Sequence, residues 1–213
     1  MHNQQILLEK YLSKSRLGKY AQIAQSDDLE KILEIYRLNI KYSEKFYSAL
    51  IQFEVILRNA INQQLINDFG FNWFESESLN FTETQKSLIN SVILDLSNNS
   101  KEINSCNVTS NLNFGFWINL FNRDYDKDDR NLWMKSLHKI FVDVENMPKR
   151  SLFRERLKNF HKLRNRISHC EPIVQFPLDK YYLHLIEFIS WMSQELADWL
   201  EGEIEFNSIQ KYQ

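Results

Sequence analysis

Four glycines and three prolines in 213 residues leave this chain few ways to turn. Sandwiches, barrels and doubly wound sheets use those residues in hairpins, bulges and phosphate loops, where the backbone needs a positive or a fixed φ. Helices joined by short capped links need far fewer. Core material is plentiful, with 43% hydrophobic residues, 15 Phe, 9 Tyr and 5 Trp beside 25% charged residues. That composition excludes a disordered or collagen-like chain. The expectation is an all-α globule, long enough to bury about 70% of its unfolded surface.

No uncharged apolar run approaches the ~20 residues of a membrane span, and the opening MHNQQILLEKYLSK has no apolar core of signal-peptide length. A cytoplasmic protein with no membrane partner is expected. Cys106 and Cys170 suit a reducing compartment and form no CxxC-type pair, so free thiols are expected.

Apolar residues recur at three- and four-residue spacing across 28–68, from Leu29, Ile32, Leu33, Tyr36 and Ile40 to Phe53, Leu57, Ile61 and Leu65. The spacing predicts one long amphipathic helix, broken near Ser43 where the phase slips, with Asp27 as N-cap and Gly70 as C-terminal stop. Residues 4–24 read as one or two short helices divided near Gly18. Thr82 and Gln85 make a capping box opening a helix to about Leu96, after a loop over 70–81. The Asn/Ser-rich stretch 97–111 reads as a connection. Residues 114–122 read as a short buried helix in which Phe114, Phe116 and Trp117 are core and Gly115 allows close packing. A polar link at 124–129 leads to a helix ending near Phe141. Pro148 opens a basic helix to about Ser168, and Pro172 and Pro177 separate it from a final helix, 178–201.

The formal charge of −2 is unevenly spread. Between Lys149 and His169 stand eight basic residues opposed by Glu155 alone, so this stretch is +7 and the remainder −9. A polyanion would be drawn to that helix, and Lys149, Arg150, Arg154, Lys158, Lys162 and Arg166 are its candidate RNA contacts.

At the end of the same helix, FHKLRNRISHCEPI (160–173) places Arg164, the polar Asn165 and, five residues after Arg164, His169. The pattern resembles the signature of the HEPN ribonucleases (higher eukaryotes and prokaryotes nucleotide-binding domains). Read with FEVILRNAI (53–61) and NFGFWINLF (113–121), in that order, the chain resembles the Abi-like (abortive infection) bacterial family within that superfamily. The resemblance implies a HEPN-type helical bundle forming a single domain over 1–213, with accessory N-terminal helices at 1–27 and a tail at 203–213. It implies metal-independent RNA cleavage through the ribose 2′-hydroxyl, with no cofactor, in phage defence or as a toxin restrained by an antitoxin RNA or protein. Arg164, Asn165 and His169 are its implied catalytic residues. Glu54, Arg58 and Asn59 correspond to a block that lines or braces the site.

Residue chemistry suits that reaction. An imidazole titrating near ~6.5 can take or give a proton, and a guanidinium pairs bidentately with a phosphate. Cleavage needs two proton transfers and each chain has one motif histidine, so a homodimer is expected, with Phe160, Leu163 and Ile167 supplying apolar contact near its axis. At ~100° per residue Arg164 and His169 lie about 140° apart, so they converge only if the helix ends near Ser168. The alternative is a catalytically silent HEPN module that binds RNA or a partner protein. His161, His169 and Cys170 match no metal-ligand spacing.

Overall fold

Forty-one residues without Gly or Pro form one uninterrupted helix, Leu29–Phe69, about 60 Å long at 1.5 Å per residue. The computed structural model describes residues 6–203, so most of the expected tail at 203–213 lies outside the described residues. Helix α1 (Lys14–Ala24) follows a wide π-type stretch, Glu9–Ser13, and precedes the long helix, α2. Then come α3 (Glu83–Asn98), α4 (Ser105–Asn111), α5 (Phe114–Asn119), α6 (Leu132–Lys135), α7 (Arg150–Ser168), α8 (Leu178–Ser190) and α9 (Gln194–Glu203). Short 3-10 turns join them. Among the described residues there is no strand, and no helix is long and apolar enough to cross a membrane.

α2 is the spine, packing against α1, α4, α5, α7 and α8. At its middle Phe53 is fully buried, with the rings of Phe160, Phe188 and Phe114 edge-on at 5.0, 5.4 and 6.1 Å. One aromatic side chain thereby ties α7, α8 and α5 to the spine, and edge-to-face pairs add to the area it buries. A smaller cluster of Leu17, Tyr20, Ile32 and Ile35 docks α1 on the first turns of α2.

The expected break near Ser43 is absent. The apolar stripe passes through Asn39, which is buried: its Nδ2 donates to Tyr20 Oη at 3.1 Å and its Oδ1 accepts from the Ile173 N–H at 2.6 Å. A satisfied buried amide stands where an apolar residue was expected, while Ile40 is 49% exposed. The N-cap is Asp28, not Asp27, its carboxylate accepting from the Glu30 N–H at 3.0 Å. Gly70 closes α2 at φ +87°. The irregularity in the first segment falls at Ser13, not Gly18.

Three further boundaries differ from expectation. The connection over 97–111 contains α4, which docks through Thr109 Oγ1 donating to Asn62 Oδ1 at 2.9 Å. The helix expected to end near Phe141 is instead α6 and a 3-10 turn, Leu137–Ile140, meeting at Ser136. The final helix is divided after Ser190, where Asp143 reaches in, its N–H donating to Trp191 O at 3.2 Å and its carboxylate accepting from the Gln194 N–H at 3.0 Å. Half of the expected capping box forms, Thr82 Oγ1 accepting from the Gln85 N–H at 3.4 Å, while the Thr82 N–H donates to Tyr125 Oη at 3.2 Å and the buried Gln85 amide turns to Phe116 O at 3.3 Å.

Candidate active site

α7 buries Phe153, Arg156, Leu157, Phe160 and Leu163 at helical spacing, which fixes its rotation about its own axis and the direction of every other side chain on it. It ends at Ser168 in a Schellman arrangement: the Glu171 N–H donates to Arg166 O at 2.8 Å and the Cys170 N–H to Ile167 O at 2.9 Å. Cys170 holds the left-handed position at φ +52°. His169 is the C-cap and is exposed.

The turn carrying His169 is tied down from both sides. Arg16 Nη1 donates to Cys170 O at 2.9 Å. Arg166 donates twice to Pro172 O, at 3.1 and 2.9 Å, pairs with Glu171 at 3.1 Å and stacks on the Phe176 ring at 5.1 Å. Together with the Asn39–Ile173 bond, these contacts leave residues 169–173 little freedom.

Arg164 faces α2. Its Nε lies 4.0 Å from Glu54 Oε2, and the Glu54 side chain is 17% exposed against 38% for Arg164. Among the described residues its terminal nitrogens make no hydrogen bond, so the guanidinium is held loosely and is open to an anion. Arg58, one turn from Glu54, keeps a buried Nε without a hydrogen-bond partner. Burial raises the Glu54 carboxyl above its ordinary pKa, and Arg164 and then Arg58 pull it back down only in part. Two guanidiniums and one carboxyl give this cluster net positive charge. Asn59 is exposed, about 140° around α2 from Glu54, and is not brought to the site.

Sequence reasoning set aside the histidine that shares Arg164's face. His161 is half-buried, its Nε2 3.2 Å from Asn165 Nδ2 and its ring edge-on to Phe114 at 5.9 Å. Burial, then the charge of Arg164, lowers its pKa below the ordinary histidine value. With the Asn165 amide donating, Nε2 is the acceptor and the ring is neutral. A Cβ at Gly115 would stand 3.2 Å from Asn113 Oδ1, the cap of α5, and in ordinary contact with His161 Cε1 at 3.5 Å, so what glycine here eases is the cap of α5 rather than the approach of α7. The i, i+3 and i, i+4 spacing of His161, Arg164 and Asn165 was the available signal.

The motif therefore divides. Arg164 and Asn165 stand with His161, Glu54 and Arg58, while His169 stands at the helix end, about 7.5 Å further along the axis at 1.5 Å per residue. No hydrogen bond or ion pair joins Arg164 to His169 among the described residues. Of the basic run, Arg150 and Arg154 both pair with Asp126 and Arg166 with Glu171, while the buried Arg156 pairs with Glu187 at 2.7 Å and covers Trp191. Lys149, Lys158 and Lys162 are exposed and, among the described residues, in no ion pair, with Lys162 over Phe176 at 5.7 Å. The positive field is thus narrower than the sequence count implies. Phe160 and Leu163 are buried in the chain's own core and give nothing to a dimer axis, correcting that expectation.

Two clefts flank these elements. One, of about 560 Å³, is lined by residues of α1 and α2 together with Ile167, Ser168 and Cys170. The other, of about 540 Å³, lies between residues 74–81 and α3, includes Glu75 and Glu77 and touches no motif residue. Both cysteines are free thiols. Among the described residues no group of three or more His, Cys, Asp or Glu is placed to hold a metal ion. Comparison with known protein families, curated proteins and solved structures gives no match for this chain.

Proposed function

We propose that this chain is a metal-independent RNA endonuclease of the HEPN type, Abi-like, acting in the cytoplasm in phage defence or as the toxin of a toxin–antitoxin pair. The observation that carries the reading is the state of the motif side chains on α7. Arg164 is partly exposed, loosely paired and without a hydrogen bond at its terminal nitrogens, and His169 is exposed on a turn fixed by Arg16, Arg166 and Asn39. A structural arginine in the same helix, Arg156, is buried and engaged by comparison.

In this reaction His169 accepts the ribose 2′-hydroxyl proton as the 2′-oxygen attacks phosphorus. The P–O5′ bond breaks, and His169 of the partner subunit protonates the leaving oxygen, giving a 2′,3′-cyclic phosphate and a 5′-hydroxyl. Arg164 neutralises the charge growing on the phosphoryl oxygens, with Arg58 behind it. Asn165 holds neutral His161 against α5. Exposed Ile51 and Val55 on α2, 42% and 37% accessible, offer the apolar contact that Phe160 and Leu163 do not. Lys149, Lys158 and Lys162 attract the strand.

Cleavage in excess EDTA, with no cutting of DNA or of RNA carrying 2′-O-methyl at the scissile position, is the expected result. Activity lost on chelation and restored by Mg²⁺ contradicts the chemistry. A full rate from a chain that sediments as a monomer with and without RNA contradicts the shared site. The second reading, a silent module that binds RNA or a partner protein, is favoured by one observation, the lack of contact between Arg164 and His169. It predicts RNA affinity that survives loss of His169 without cleavage by either form.

A further inference from the structure

The 560 Å³ cleft beside the motif turn is a recess of ligand size, within the ~300–1,000 Å³ range of small-molecule sites. Its lining includes Tyr36, Ser43, Glu44 and Tyr47 of α2, Arg16 of α1 and, from the end of α7, Ser168 and Cys170, the two residues that flank His169. Along α2 the series Tyr36, Ile40, Ser43, Tyr47, Ile51, Glu54, Arg58 advances by four and three residues, so one helix face runs from the cleft to the cationic cluster. Tyr47 and Glu54 are two turns, about 10 Å, apart on that face. α7 runs antiparallel beside it, with Arg164 at the level of Glu54 and Ser168 at the cleft. Aromatic rings and a phosphate-binding cation are thus offered in series along one groove.

The rings are available. Tyr47 is 44% exposed, and Tyr36 is half-buried and fixed edge-on to the buried Tyr20 at 5.2 Å. Arg16 uses Nη1 on Cys170 O and keeps its other N–H groups. Glu44 and the Ser43 hydroxyl add an acceptor and a donor–acceptor at the edge. Apolar faces, a few edge groups and one guanidinium suit a flat heterocycle on a phosphodiester better than an aliphatic ligand.

We propose that this cleft binds a nucleobase of the RNA strand, seating the nucleotide next to the scissile phosphate so that the phosphate falls between Arg164 and His169. Tyr47 stacks on the base and Arg16 meets the adjoining phosphate. The inference rests on the endoribonuclease reading but is tested apart from it.

Full-length protein is titrated with 5′-AMP, 5′-CMP, 5′-GMP and 5′-UMP by calorimetry, alongside Tyr47→Ala and Arg16→Gln, and sedimentation is recorded for each. Base–aromatic stacking of the usual strength predicts saturable binding of at least one nucleotide that Tyr47→Ala weakens about 10-fold or more. The same variant is expected to blur cleavage-site preference on a mixed-sequence RNA while leaving the melting temperature within a degree or so of wild type. Nucleotide binding without RNA cleavage by any form leaves the cleft standing and the enzyme reading fallen. Cleavage with unchanged site preference in Tyr47→Ala, and no nucleotide binding up to millimolar concentration, overturns the cleft and leaves the enzyme. Loss of self-association in Tyr47→Ala without any change in nucleotide binding makes the face a protein interface and overturns the proposal.

Discussion

Cys170 occupies a left-handed position that favours glycine and the sequence does not supply it. At φ +52° its Cβ crowds the following carbonyl, a cost of about 1–2 kcal/mol for an L-residue. The conformation is imposed by the two bonds closing α7, Glu171 N–H to Arg166 O and Cys170 N–H to Ile167 O. Its side chain is exposed, so Cys170→Gly gives up little packing. Against the relief stands the extra freedom glycine gains in the unfolded chain, about 0.5–1 kcal/mol. The net is a change between about 0 and 1.5 kcal/mol in favour of glycine, which for a domain of this length raises the melting temperature by up to about 6 °C. Cys170→Val, β-branched in the same conformation, loses a further ~1 kcal/mol relative to cysteine. Thermal melts of the three proteins at one pH and concentration measure both effects. Because the turn carries His169, the glycine variant should also keep its RNA cleavage and the valine variant should lose part of it. A glycine variant that melts clearly below wild type would show that the left-handed turn does not hold in solution, and the placement of His169 would fall with it.

Two other expectations follow from the same arrangement. With Arg150, Arg154 and Arg166 in ion pairs, phosphate contact falls to Lys149, Lys158 and Lys162 together with Arg164 and Arg16, so the slope of log affinity against log salt should be about 3.5 for single-stranded RNA at ~0.7 per contact. Lys158→Glu with Lys162→Glu should weaken binding and flatten that slope, and an unchanged slope would make the lysine row a solvated face. His161 has a depressed pKa, so its contribution to stability is present above ~6.5 and is lost as pH falls through the lower folded value. Melting temperatures from pH 7.5 to 5 should therefore fall less steeply in His161→Gln, and identical slopes would mean the ring is not buried as described. His184 shifts in the same direction from burial, then Arg156, so some acid dependence should remain in that variant.

What the sequence made legible was the local part of the fold. The 3.6-residue period, the Thr82 cap and Gly70 each act within a few residues, and α2, α3 and the end of α2 follow from them. Helix ends without glycine were harder, since Gln25, Ser100 and Cys170 all adopt left-handed conformations that no residue type announces. The division of the last helix depends on Asp143, some fifty residues upstream, and the continuity of α2 on a buried Asn39 satisfied by Tyr20 and Ile173. Neither can be read from a window. The site shows the same division. Arg164, Asn165 and His169 were visible as a spacing, but although α7 ends at Ser168 as their approach required, Arg164 turns to Glu54 and His169 stays apart at the helix end. His161 was passed over because it matched no ligand pattern, although its spacing to Arg164 and Asn165 puts all three on one face. The charge count over 149–169 overstated the free field because Asp126, Glu171 and Glu187 come from other elements or from beyond the helix.

The central claim is that His169 transfers protons in RNA cleavage. It is tested most directly by the rate at which wild type and His169→Ala cut one RNA at matched protein concentration in excess EDTA, with melting curves recorded for both. A positioned general acid or base contributes about 10²–10⁴-fold, so the account predicts cyclic-phosphate products from wild type and at least a ~100-fold slower reaction from a variant that melts as wild type does, His169 being exposed and outside the core. Equal rates from the two proteins, or no cleavage by wild type of any RNA offered, would contradict it.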